Sequence, residues 1–337
     1  MRLSDVWMIV VILSLTMYVV LDGYDLGIGI LTLLERDDAR RREMHELVAW
    51  LWDGNESWIV LLALTLWAGV PLVTGTALPA LYLVLFPMLW SLIARGVALE
   101  LIGQHEGWHR IWGPAFGIGS LLAAFCQGAA FGGIVGGLPV HGSTFAGGPF
   151  TFLHHGYAVL TGLTAVALYA VAGCAWLYLK TDGETERRAA RSGRLAVVLL
   201  AVGTAASWVL APIAGSVTLH QGATARLPVW ISGACMLAAG LAFAFYSFRP
   251  DPGSARAQRR PALGALVAYA GGLLVAGGLL YPTLVPPHVT VHSAASPHTT
   301  LLFLLIGVGI AIPIILTYQT FSYRVFRGKT TTEATAT

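Results

Sequence analysis

Six residues capable of acid–base chemistry fall in three successive apolar stretches. Leu21-Asp22-Gly23-Tyr24-Asp25-Leu26-Gly27 lies in the first, Trp52-Asp53-Gly54-Asn55-Glu56 opens the second, and Arg95 and Glu100 close the third. Carboxylates and a guanidinium against hydrocarbon are costly unless they are paired, hydrated or given work to do. Asp22 and Asp25 stand one helical turn apart on one face, as do Asp53 and Glu56. In the bland account, the six are interfacial charges that snorkel, with Arg95 and Glu100 a structural ion pair or water-ordering group. The sharper account is a water-connected acidic path through Asp53, Asp25, Asp22 and Glu56 that carries protons into the membrane. Carboxylates suit that task because they exchange protons, and a nearby arginine keeps one of them ionised. The residue types alone favour the bland account.

The elements that must hold these residues are membrane helices. Of 337 residues, 56% are hydrophobic and only 11% charged, against about 25% charged in a soluble domain. Nine apolar runs are each long enough to cross a hydrocarbon core of about 30 Å. They lie near 6–34, 50–73, 77–102, 116–138, 152–179, 195–213, 229–248, 263–284 and 300–323. Backbone groups in lipid must be satisfied within the segment, so the expected fold is all-α, a single polytopic domain over 1–329. Seventeen of the 20 Lys and Arg fall in the connections after the first, third, fifth and seventh runs and in the C-terminal tail. Only Arg2 and Arg226 lie opposite, and Arg95 lies within a run. That bias puts the N-terminus outside and the C-terminus in the cytoplasm, as an odd number of spans requires. All six candidate residues then sit at similar depth near the cytoplasmic side.

The remaining residues exclude more than they suggest. Cys126, Cys174 and Cys235 are widely spaced within spans, with no C-x-x-C and no C-x-x-C-H; they read as small buried hydrophobes. His45, His105 and His109 fall in inner connections, and His141, His154, His155, His220, His288, His292 and His298 in outer ones or at span ends. No mid-membrane histidine is placed to hold a haem. No nucleotide-binding or H-E-x-x-H motif occurs, so redox or hydrolytic chemistry by this chain alone is not indicated. The first run carries two aspartates and lacks a small-residue cleavage site, unlike a signal peptide. Residues 138–151 and 281–297 read as outer connections, the second as an ordered loop. Residues 330–337 read as a disordered tail.

At Asp22-Gly23-Tyr24-Asp25-Leu26-Gly27-Ile28-Gly29 and Trp52-Asp53-Gly54-Asn55-Glu56-Ser57-Trp58 the sequence resembles subunit II of the cytochrome bd-type quinol oxidases. The likeness continues through Arg95-Gly96-Val97-Ala98-Leu99-Glu100, Ala146-Gly147-Gly148-Pro149, Tyr281-Pro282, Val285-Pro286-Pro287 and Pro313-Ile314-Ile315-Leu316, and ends at Tyr323-Arg324-Val325-Phe326-Arg327-Gly328-Lys329. The short length and the R-G-V-A-L-E form are most similar to the cyanide-insensitive ubiquinol oxidase branch. The resemblance implies two four-helix bundles and a peripheral helix, paired with a haem-bearing subunit I in a bacterial inner membrane. Subunit I would hold haem b and haem d (or a third haem b), oxidise quinol outside, and reduce oxygen with cytoplasmic protons. This chain would bind no haem, stabilise subunit I, and contact lipid. A small single-helix accessory subunit accompanies some members, and some bind a structural quinone in this subunit. By the same resemblance Asp53 is the first candidate for a proton-path residue. From the residues alone, a proton-coupled secondary transporter is the competing reading.

Overall fold

The structure is a computed structural model that describes residues 2–104, 107–141, 144–211, 223–249, 254–285, 289–325 and 328. His105, His220, His288, Pro286, Pro287, Phe326, Arg327, Lys329 and the expected tail 330–337 lie outside the described residues, as do the side chains of His154, His155 and Arg226.

Twelve α-helices follow in chain order: α1 (Leu3–Thr32), α2 (Asp38–Ala49), α3 (Trp52–Gly69), α4 (Pro71–Ile102), α5 (His109–Val135), α6 (Tyr157–Lys180), α7 (Gly183–Leu210), α8 (Ala223–Ser247), α9 (Ala255–Gln258), α10 (Arg260–Leu280), α11 (Val291–Ala294) and α12 (His298–Val325). Two short antiparallel hairpins sit between helices: β1 (Val140–His141) with β2 (Thr144–Phe145), and β3 (Thr283–Val285) with β4 (Val289–Thr290). Among the described residues, eight helices are long and apolar enough to cross a membrane: α1, α4, α5, α6, α7, α8, α12 and a segment joining α9 to α10. The second expected span is the 18-residue α3. Its first turn carries Asp53, Asn55 and Glu56, which dilute its apolar character.

Several boundaries differ from the sequence reading, each for a local reason. The second span ends at Gly69 rather than 73, because Val70 leaves helical geometry and Pro71 begins α4. Proline at a first helical position loses no intrahelical bond. The freed carbonyls of Ala68 and Gly69 are taken by the Ser296 hydroxyl (2.7 Å) and amide (2.9 Å). The connection after α1, expected as a charged loop, contains α2. Asp37 caps it by accepting from the amides of Ala39 (2.9 Å) and Arg40 (3.1 Å). His45 therefore sits on a helix, buried edge-on to Phe116, and His109 opens α5. The arginine-rich approach to the sixth span is likewise helical, extending α7 back to Gly183. The expected outer loop 281–297 is the β3–β4 hairpin plus α11, whose His292 Nδ1 meets the Ser4 hydroxyl at 3.0 Å.

α1 is the hub, touching α3, α5 and α6 along its length; α12 rests on α1 and α3. The glycines of the first motif explain how α1 gets so close to its neighbours. A Cβ on Gly27 would collide with the Tyr169 carbonyl of α6, one on Gly173 with the Gly27 backbone, and one on Gly29 with Ser120 of α5. Such backbone-to-backbone contact is the usual route to tight association of membrane helices. α8 and α10 pair in the same way through Gly240 and Gly264. α12 is the loosest, with 11% of its apolar window buried.

Candidate functional site: a buried carboxylate cluster

The close approach of α1, α3 and α4 brings three of the predicted acids around one arginine. Arg95 is fully buried on α4, and its Nη2 donates to Asp22 Oδ1 at 2.5 Å, with both side chains 0% exposed. Its Nε donates to Glu56 Oε1 at 3.1 Å, and the Glu56 side chain is 23% exposed. Asp25, one turn further along α1, is also wholly buried and accepts from Asn55 Nδ2 at 2.8 Å. Two carboxylates thus share one guanidinium, with Asp25 held by Asn55 a turn away, so three acids lie close to a single buried cation. Among the described residues, Asp22 Oδ2, Asp25 Oδ1 and Arg95 Nη1 find no hydrogen-bond partner. Buried polar atoms left over in this way are where ordered water is held.

Asn55 ties this cluster to α12. Its Nδ2 also donates to the Tyr24 hydroxyl at 2.8 Å, while its Oδ1 accepts from Gln319 Nε2 and the Tyr323 hydroxyl, both at 3.2 Å. The Tyr24 and Tyr323 hydroxyls lie 2.5 Å apart. Trp58 Nε1 holds the Gln319 carbonyl at 2.8 Å. Trp176 of α6 stacks on the Tyr24 ring at 4.2 Å, and Tyr323 stands edge-on to both. On the other side of Asp22, the Tyr18 hydroxyl accepts from Gln127 Nε2 at 2.7 Å, and Tyr169 donates to Gln127 Oε1 at 2.5 Å.

Two expected residues stand apart. Glu100 is exposed and makes no ion pair with Arg95. Five residues along a helix is about 140° around it, so the two side chains face different ways, whereas Asp22 and Glu56 meet Arg95 from neighbouring helices. The expected Arg95–Glu100 pair is therefore replaced by an Asp22–Arg95–Glu56 bridge. Asp53 is also exposed, on the first turn of α3, one turn before Glu56. Tyr24 and Asn55 sat inside the quoted motifs without a role, and Gln319, a polar residue in a strongly apolar helix, was the one available sign that α12 joins the site. Among the described residues, no group of three or more His, Cys, Asp or Glu is placed to hold a metal ion.

The family model for "Cytochrome bd terminal oxidase subunit II" matches residues 3–326. This chain belongs to that family. The likeness covers both motifs that supply the buried cluster. The "Cytochrome bd-I ubiquinol oxidase subunit 2" of Escherichia coli strain K12 is 30% identical over 224 residues, which is 64% of this chain and 59% of that one. The chain thus aligns with somewhat over half the length of that relative. The "Cytochrome bd ubiquinol oxidase subunit 2" of Bacillus subtilis is 26% identical over 340 residues, 96% of each chain. A chain of the bd oxidase of Geobacillus thermodenitrificans superposes with a TM-score of 0.75 at 16% identity, covering 97% of this chain and 99% of that one; at that identity the likeness concerns the fold. The cytochrome bd subunit II assignment, with eight apolar helices, makes this a multi-pass protein of the bacterial inner membrane. The transporter reading falls away.

Proposed function

We propose that this chain is the haem-free subunit II of a bd-type quinol:oxygen oxidoreductase, and that it supports the haem-bearing subunit I and feeds it protons from the cytoplasm. In this reading nine helices cross the membrane with the N-terminus outside, α3 included, and α12 is the peripheral helix. The haems of subunit I supply electron transfer and oxygen chemistry; the residues here supply packing and protons. One observation carries the proton role: burial rises stepwise from exposed Asp53 to 23% exposed Glu56 to fully buried Arg95, Asp22 and Asp25. A purely structural ion pair needs no such row. Arg95 would anchor Asp22 through their ion pair and order water on its free Nη1, while Asp53 collects protons and Glu56 hands them inward. Asp25, with an oxygen to spare, would carry a proton on.

The test is Asp53→Asn and, separately, Asp25→Asn in the assembled complex, with haem read from the reduced-minus-oxidised spectrum. We expect full haem content and oxygen reduction slowed at least about tenfold, about 1.4 kcal/mol on the barrier. Unchanged turnover in both haem-replete variants would remove the proton role. Loss of haem instead would make these residues structural.

A further inference from the structure

The Asp25 end of the cluster leads somewhere that the Asp53–Glu56 row does not. Between α1 and α12 lies a surface cleft of about 440 Å³, lined by Met17, Leu21, Gln319, Thr320, Tyr323 and Arg324 among others. Along α12 its lining passes from apolar Leu316 to polar Gln319, Thr320, Tyr323 and Arg324, toward the C-terminal end that the charge bias places in the cytoplasm. Tyr323 forms part of that lining, and its hydroxyl is 2.5 Å from Tyr24. Tyr24 in turn shares the Asn55 amide nitrogen with Asp25, each at 2.8 Å. The two oxygens held by that nitrogen are no more than about 5.6 Å apart, a gap that one bridging water spans. Asp25 Oδ1 is, with Asp22 Oδ2, one of two buried carboxylate oxygens left without a partner among the described residues.

We infer that the α1–α12 cleft is a second cytoplasmic mouth of the proton path, in which Tyr323 and Tyr24 relay protons from cleft water to Asp25. This rests on the proton role proposed above and adds where Asp25 is loaded. The step balances without a redox partner. Cleft water hands Tyr323 an excess proton supplied by the cytoplasm, and Tyr323 passes its own to Tyr24. Tyr24 passes its own through a bridging water to the Asp25 carboxylate, which ends protonated, while the water and both phenols end as they began. Asn55 does not conduct, because an amide gives up protons too reluctantly. It positions the relay: Nδ2 aligns Tyr24 with Asp25, while Oδ1 competes for the Tyr323 hydroxyl at 3.2 Å and so sets which way that hydroxyl points. Trp176, stacked on Tyr24 and edge-on to Tyr323, keeps both rings in register.

The experiment uses the whole complex carrying Tyr323→Phe, Tyr24→Phe or Thr320→Trp. The last fills the cleft without touching the hydrogen-bonded network. Haem content and the electrogenic proton-uptake phase after oxygen is admitted are read together, because a merely structural defect alters the haem spectrum first. The expected result is normal haem with proton uptake slowed roughly tenfold in all three variants, and a larger solvent isotope effect in the two phenylalanine variants. Normal uptake in these variants, beside slowed uptake in Asp25→Asn, would overturn the cleft while leaving the proton role intact. Normal uptake in Asp25→Asn as well would remove the proton role itself. Haem loss in Tyr323→Phe and Thr320→Trp alike would make the α12 contact structural and overturn the relay.

Discussion

Two regions of the molecule are built from the same ingredients, arginines and carboxylates, and use them in opposite ways. Around Glu35, just past the end of α1, the Arg40 guanidinium (3.0 Å), the Arg188 guanidinium (3.5 Å) and the Asp37 amide (2.9 Å) all meet one carboxylate. Arg41 meets the backbone carbonyl of the same residue at 2.7 Å. Every oxygen is served, and the Arg40 and Arg188 side chains are 24% and 46% exposed. Burial pushes the Glu35 carboxyl up, but its hydrogen bonds from Arg40 and the Asp37 amide and the nearby positive charges outweigh that and bring it down to about 2. Around Arg95 two carboxylates meet one fully buried guanidinium with Asp25 close by, and among the described residues three polar atoms are left over. The first arrangement is a clasp. The second is left under-satisfied, with buried polar atoms that have room for ordered water.

Breaking the two regions separately should show how far apart they are. Arg95→Met leaves Asp22 and Glu56 without a counter-charge, and removing one partner of a buried pair costs about 3–5 kcal/mol. The expected outcome is failure to recover assembled, haem-loaded complex, scored by blue-native gel and haem spectrum. Glu35→Gln should cost only about 1 kcal/mol, since its partners remain partly hydrated. The pH dependence gives its sign. The group is shifted down from 4.5 to about 2 on folding, so its contribution is complete above about pH 4.5 and is lost as pH falls toward 2. Melting curves in detergent across that window should therefore converge for wild type and variant at low pH. A gap that widened as pH fell would contradict the clasp. Smallest of all, Glu184→Ala removes exposed pairs to Arg188 and Arg191 on α7, and the melting temperature should not move.

The sequence disclosed the cluster better than it disclosed the network around it. Asp22, Asp25, Glu56 and Arg95 stood out because charge in an apolar run is expensive, and orientation counting put them at one depth. Glu100 was grouped with Arg95 by nearness along the chain, yet the angle between positions five apart carries it to another face. Asn55 and Tyr323 could not be paired in advance, since 268 residues separate them and their meeting depends on how α12 lies across α1 and α3. The helix α2 was hidden for a different reason: its charges resemble a loop until Asp37 is recognised as a cap. The break at Val70 has its sign in Pro71, but the flanking apolar residues run on without pause and mask it.

The separation between Asp22 and Arg95 also has a consequence for biogenesis. Their side chains meet in the finished protein, but 73 residues lie between them along the chain. At about 5–20 residues per second, the ribosome takes on the order of 4–15 seconds to supply the arginine after the aspartate has been made. During that interval α1 carries two acids with no counter-ion from its own chain. The helix at the protein's centre thus emerges from the translocon before the cation that will pair with Asp22 has been made. The contact between Asp22 and Arg95 can form only once α4 has arrived.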